Sequence, residues 1–73
     1  MKEYVKKQME EYADWLESDN QEMIEDAMVD IIAECYRAFG ECDELDGIFK
    51  SIGWIDEDGL AIFENWANYR ELN

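Results

Sequence analysis

Glu22, Asp26, Asp30 and Glu34 follow one another at four-residue intervals. On an α-helix that spacing lines four carboxylates in one row, about 6 Å apart along the axis. The row belongs to a longer stretch, Gln8 to Tyr36, in which Glu10, Glu11, Asp14, Glu17, Asp19, Glu22, Glu25, Asp26, Asp30 and Glu34 occur without one Lys or Arg. Such a surface attracts cations and basic protein faces. It is not an acid and base pair, because general acid–base work needs two groups held in different surroundings, and this row is one repeated group on one exposed face. Like charges at i and i+4 cost a few tenths of a kcal/mol each, and a helix shaped for stability alone interleaves Lys. Glu17 and Asp19 also fall near the negative end of the first expected helix, where a cation is favoured. Folding stability does not account for the row.

Two readings follow. One is a solvated face that serves solubility, the usual role of a charge run. The other is a surface that presents negative charge in place of nucleic acid to a basic protein groove. Duplex DNA carries one phosphate per roughly 3.4 Å of axis on each strand, so a single helix row is sparser than a strand and a second row is needed. Glu10, Asp14 and Glu17 on the first helix supply one if the two helices form a hairpin. Tyr36 and Val29 fall among Glu22, Glu25 and Asp26 on the helical wheel, away from the expected core, and Tyr4 and Trp15 flank the core arc of the first helix. These apolar groups either pack under a later helix or contact a partner. The expected partner-binding set is Asp14, Glu17, Glu22, Glu25, Asp26, Asp30, Glu34 and Tyr36.

Other chemistry finds little support. With Gly59 aligned as the sixth residue of an EF-hand loop, Trp54 stands first and Asn65 last, where carboxylates are required. Cys35 and Cys42 lack a C-x-x-C pairing and the chain has no His, so neither zinc nor any other metal or cofactor is expected. No nucleophile stands beside a base and no glycine-rich phosphate loop is present, which argues against an enzyme.

Four helices must position these residues. Val5, Met9, Tyr12 and Leu16 recur at i, i+4, i+7 and i+11, predicting a first helix over roughly residues 2 to 17. Ser18 and Gln21 have capping-box spacing, so a second helix is expected from about 20 to 39. Its Ile24, Ala27, Met28, Ile31, Ile32, Cys35 and Phe39 fall in an arc of about 140°, and Gly40 suits its C-terminal stop. Asp43 is a candidate cap for a third helix with Leu45, Ile48, Phe49 and Ile52, ended by Gly53. Asp56, Glu57 and Asp58 suit the positive end of a fourth, which Leu60, Phe63, Trp66, Ala67 and Arg70 continue. Trp54, Trp66 and Phe63 are expected in the core. The fold class is therefore all-α: a small single-domain bundle of about four helices over residues 1–73, its first two forming an antiparallel hairpin.

Composition bounds the partners. Twenty Asp and Glu against six Lys and Arg give a formal charge of -14, which excludes direct contact with nucleic acid phosphate and disfavours an anionic membrane surface. A hydrophobic content of 48% separates the chain from acidic disordered tails. The charged start, Met1 to Lys7, lacks the apolar stretch of a secretory signal, and two cysteines are too few for a secreted disulfide scaffold. A cytoplasmic protein is expected.

Asp43-Glu44-Leu45-Asp46 resembles the Asp-Ser-Leu-Asp motif of acyl carrier proteins, which are also small acidic helical chains. Glu44 stands where that family has the serine that accepts phosphopantetheine, so the carrier chemistry does not follow. In composition the chain resembles the acidic DNA-mimic, anti-restriction and anti-CRISPR proteins of phages and mobile elements. That resemblance implies a non-enzymatic inhibitor of a basic nucleic-acid-binding protein. The alternative is a helical interaction module, or a homodimer formed through its aromatic residues, whose acidic face serves only solubility.

Overall fold

A computed structural model describes residues 1–72. It is all-α, with α1 at Lys2–Glu11, α2 at Ala13–Leu16, α3 at Gln21–Phe39, α4 at Asp43–Ser51, and a C-terminal 3₁₀ segment at Phe63–Glu71. The first expected helix is broken in two. Tyr12, at φ -100 and ψ 10, leaves the helical basin, and the ladder resumes with the Leu16 N–H bonded to the Tyr12 carbonyl at 2.9 Å. The apolar spacing survives the break: Val5, Met9 and Leu16 are all buried and Tyr12 is half-buried against them.

α1 and α2 lie antiparallel to α3, as expected. Tyr4 near the start of α1 meets Phe39 at the end of α3 edge to face, with ring centroids 5.1 Å apart. At the joint, the Ser18 hydroxyl lies 3.6 Å from the Met23 sulfur. The cap of α3 is Asn20 rather than Ser18. Its side-chain oxygen accepts the Glu22 N–H at 3.0 Å, and Ser18 Oγ instead accepts the N–H of Asn20. Asn is as good an N-cap as Ser, and its reach to the second helical N–H fixes the start one residue later. α3 is the longest helix and buries Ile24, Ala27, Met28, Ile31 and Cys35. Gly40 stops it at φ 71.

α4 is capped by Cys42 with no side-chain bond, so Asp43 is the first helical residue and not the cap. Asp43, Glu44 and Asp46 occupy the first turn and Lys50 the last, matching the helix dipole at both ends. Leu45, Phe49 and Ile52 enter the core. The chain then reverses at Gly53, φ 72, whose carbonyl accepts Asn65 Nδ2 at 2.8 Å. The backbone angle favours glycine, and a Cβ here would lie 3.0 Å from that nitrogen, so any other residue would also press on the Asn65 side chain.

The expected fourth helix does not begin at Asp56. Residues 55–61 form a tight loop, closed by an antiparallel bridge between Ile55 and Ala61 and by the Asp56 N–H bonded to the Leu60 carbonyl at 2.9 Å. Asp56 Oδ1 accepts the N–H groups of Asp58 at 2.8 Å and Leu60 at 3.0 Å, and Gly59 stands at φ 84. An Asp side chain that captures backbone donors two and four residues on competes with the helix it was expected to start. Leu60 is consequently exposed, and helical structure resumes only at Phe63, with a kink at Asn65.

The core is one cluster drawn from every part of the chain, Val5 to Leu72. From its rim inward Tyr36, Phe49 and Trp54 form a column of roughly parallel rings, with centroids 6.0 and 6.1 Å apart. Trp54 is fully buried; Phe63 and Trp66 are half-buried on the rim. No helix among the described residues is long and apolar enough to cross a membrane.

Candidate acidic interface

The apolar arc of α3 turns its opposite side outward, and that side carries the charge. Glu22, Asp26 and Asp30 are exposed, and among the described residues no Lys or Arg is ion-paired with them. Val29 lies among them and is 49% exposed, so an apolar side chain interrupts the acidic surface. Glu25, one turn before Val29, is half-buried at the border with the core.

Other members of the expected set occupy different surroundings. Glu34, the last of the row, is paired with Arg37 one turn on, at 2.5 Å. Glu17 receives Arg70 Nη2 at 2.5 Å and the Tyr69 hydroxyl at 3.0 Å, from the far end of the chain. Those donors, Arg70 first, hold its carboxyl below the ordinary value of 4.5. Asp14 is exposed on α2, beside Trp15, which is itself 45% exposed.

Tyr36 is half-buried rather than outward-facing. Its ring stacks on Phe49 and its hydroxyl donates to Asp46 of α4. Burial, and then the neighbouring Asp46 carboxylate, push its phenol well above the usual tyrosine value, so it stays a neutral donor. Beside it opens a groove of about 540 Å³ between α3, α4 and the 55–61 loop, lined by Ile32, Tyr36, Glu41, Asp46, Ile55, Asp58 and Gly59. No sequence signal points to this groove, since its residues come from three segments with no common spacing.

Cys35 is buried in the core, and that burial, with Glu34 nearby, raises its thiol to about 11. Among the described residues no three Cys, Asp or Glu side chains are arranged to hold a metal ion. A smaller cleft of about 120 Å³ lies between α1 and the C-terminal segment, lined by Lys6, Met9, Glu10, Tyr69, Arg70 and Leu72. No family model, curated protein or solved structure matches this chain.

Proposed function

We propose that this chain is a non-enzymatic acidic binding protein that seats the outer face of α3 in a Lys/Arg-rich groove of a nucleic-acid-binding protein. It would block that groove as anti-restriction and anti-CRISPR inhibitors do. The observation that carries the reading is the unpaired run Glu22, Asp26 and Asp30 on the longest helix, in a chain with only six Lys and Arg. A helix backed by a buried core holds these carboxylates in fixed register, so they act as surrogate phosphates with little ordering cost. Asp14, exposed on α2, would offer a further carboxylate, and exposed Val29 adds an apolar contact that a solvated face has no need of. Glu25 and Glu34 border the same face, and Glu17 joins it only by exchanging Arg70 for a cation of the partner. Inhibition is competitive, in the cytoplasm where the partner meets its nucleic acid. Association is fast at low salt and weakens as ionic strength rises.

The test is competition. A basic protein captured at low salt is loaded with its nucleic acid, and displacement by wild type is compared with displacement by Asp26→Lys/Asp30→Lys. Both positions are exposed, so the variant stays helical, and it should fail to displace. Equal competition by the folded variant would sink the proposal. Exposed Trp15, Phe39 and Leu60 favour a second reading, a helical interaction or dimerisation module; its sign is association that tolerates high salt.

A further inference from the structure

The groove beside Tyr36 combines an apolar lining with negative charge. Ile32 and Ile55 supply aliphatic walls, Tyr36 an aromatic one, and Glu41, Asp46 and Asp58 three carboxylates; among the described residues no Lys or Arg lines it. Its volume, about 540 Å³, lies within the range of specific ligand sites, roughly 300–1,000 Å³. The rim is held in place. Asp56 ties down the N–H groups of Asp58 and Leu60, and the Tyr36 hydroxyl bonded to Asp46 joins α3 to α4 across the groove. Position also matters: Val29, Ile32 and Tyr36 follow at i, i+3 and i+7 on α3, so the exposed Val29 leads along the helix from the acidic row into the groove.

We infer that this groove is the anchor site for an arginine side chain of the basic partner, an inference that rests on the partner being basic but not on the α3 row being its contact. The chemistry selects arginine. The aliphatic stem lies along Ile32 and Ile55, and the planar guanidinium, more weakly hydrated than an ammonium, faces the Tyr36 ring and shares its five N–H donors among carboxylates on both sides. Lysine offers three donors on a strongly hydrated point charge and fits the apolar lining less well. Hot-spot contacts of this kind sit in partly desolvated pockets, while a row of exposed charges mainly sets the rate of encounter.

Backbone amide shifts of the full chain, titrated with a short arginine-containing peptide and its lysine and citrulline counterparts, test the assignment. The arginine peptide should saturate shifts at Ile32, Tyr36, Ile55 and Gly59; the lysine peptide should bind several-fold more weakly, and the uncharged citrulline peptide should leave these amides still. Glu41→Gln/Asp58→Asn, at two exposed positions, should weaken the arginine peptide at least fivefold without lowering the melting temperature. Asp26→Lys/Asp30→Lys should leave the groove shifts in place. The assignment is overturned if citrulline binds as well as arginine, if the neutralised variant binds as wild type does, or if shifts are confined to Glu22, Asp26 and Asp30. That last pattern would keep the α3 row as the contact and remove the groove from it.

Discussion

Glu17 and Asp26 are both exposed carboxylates in the acidic stretch, yet they live in opposite surroundings. Glu17 is held by Tyr69 and Arg70, more than fifty residues along the chain; Asp26 is exposed one turn from Glu22 and Asp30 on α3 and has no ion pair among the described residues. The chain is not short of means to balance Asp26, since it carries six Lys and Arg. It places them elsewhere. Arg37, Lys50 and Arg70 each occupy the last turn of their helices, where positive charge meets the negative end of the dipole, and Lys2, Lys6 and Lys7 lie on α1. Three of the six cations thus sit at helix ends, and one of them, Arg70, also docks the C-terminal segment on Glu17. The middle of α3 is left bare, and this difference separates a structural carboxylate from one available to a partner.

The largest effect should come from the core on which both regions rest. Phe49→Ala, in the middle of the ring column, should cost about 3–5 kcal/mol in urea unfolding, a large share of the stability of a 73-residue chain. A loss below about 1 kcal/mol would mean that charge contacts hold the fold, and the comparison would collapse. Screening comes next. Three like-charged i, i+4 pairs from Glu22 to Glu34 cost roughly 1 kcal/mol together, equivalent to about 4–8 °C in a domain of this size, and added salt should recover part of it as a higher melting temperature. Asp26→Lys alone should raise stability by only a few tenths of a kcal/mol while reducing that salt gain.

Glu17 should respond with the opposite sign. Its pKa is depressed in the folded state, so the stability from Arg70 and Tyr69 is fully present above the unfolded value near 4.5 and disappears as pH falls through the lower folded value. The contribution of Glu17 is therefore retained from pH 7 to 5 and is lost on further acidification, which lowers the melting temperature. Glu17→Gln should start from a lower melting temperature at pH 7 and lack its share of the acid-side fall. A profile identical to wild type would show that the Glu17 contacts contribute nothing in solution. The two thiols give the smallest and simplest contrast: buried Cys35, raised to about 11, should resist alkylation at neutral pH in the native protein, while half-buried Cys42 reacts.

Much of α3 is legible in the sequence alone, because a 3.6-residue period over nineteen residues is a strong local signal and Gly40 marks its end. The fourth helix is not. Asp56, Glu57 and Asp58 suit a helix start, but the same Asp side chain closes a turn on its own backbone, and Gly59 at positive φ decides for the turn. The helical wheel misplaces Tyr36 for a related reason: its angle puts it beside Glu25 and Val29, but Phe49 and Asp46, from a later helix, cover it.

The sequence by itself determined the helical class, the buried face of α3 and the charge on the opposite face, since each follows from spacing along a single helix and the identity of its residues. Only the tertiary structure decided which carboxylates remain unpaired. Arg70 reaches Glu17 across the whole chain, Tyr36 reaches Asp46 across a helix joint, and the groove gathers Ile32, Glu41 and Asp58 from three segments. Such meetings depend on how rigid elements rotate and dock about a shared core, and periodicity within one element carries no information about the rotation of the next.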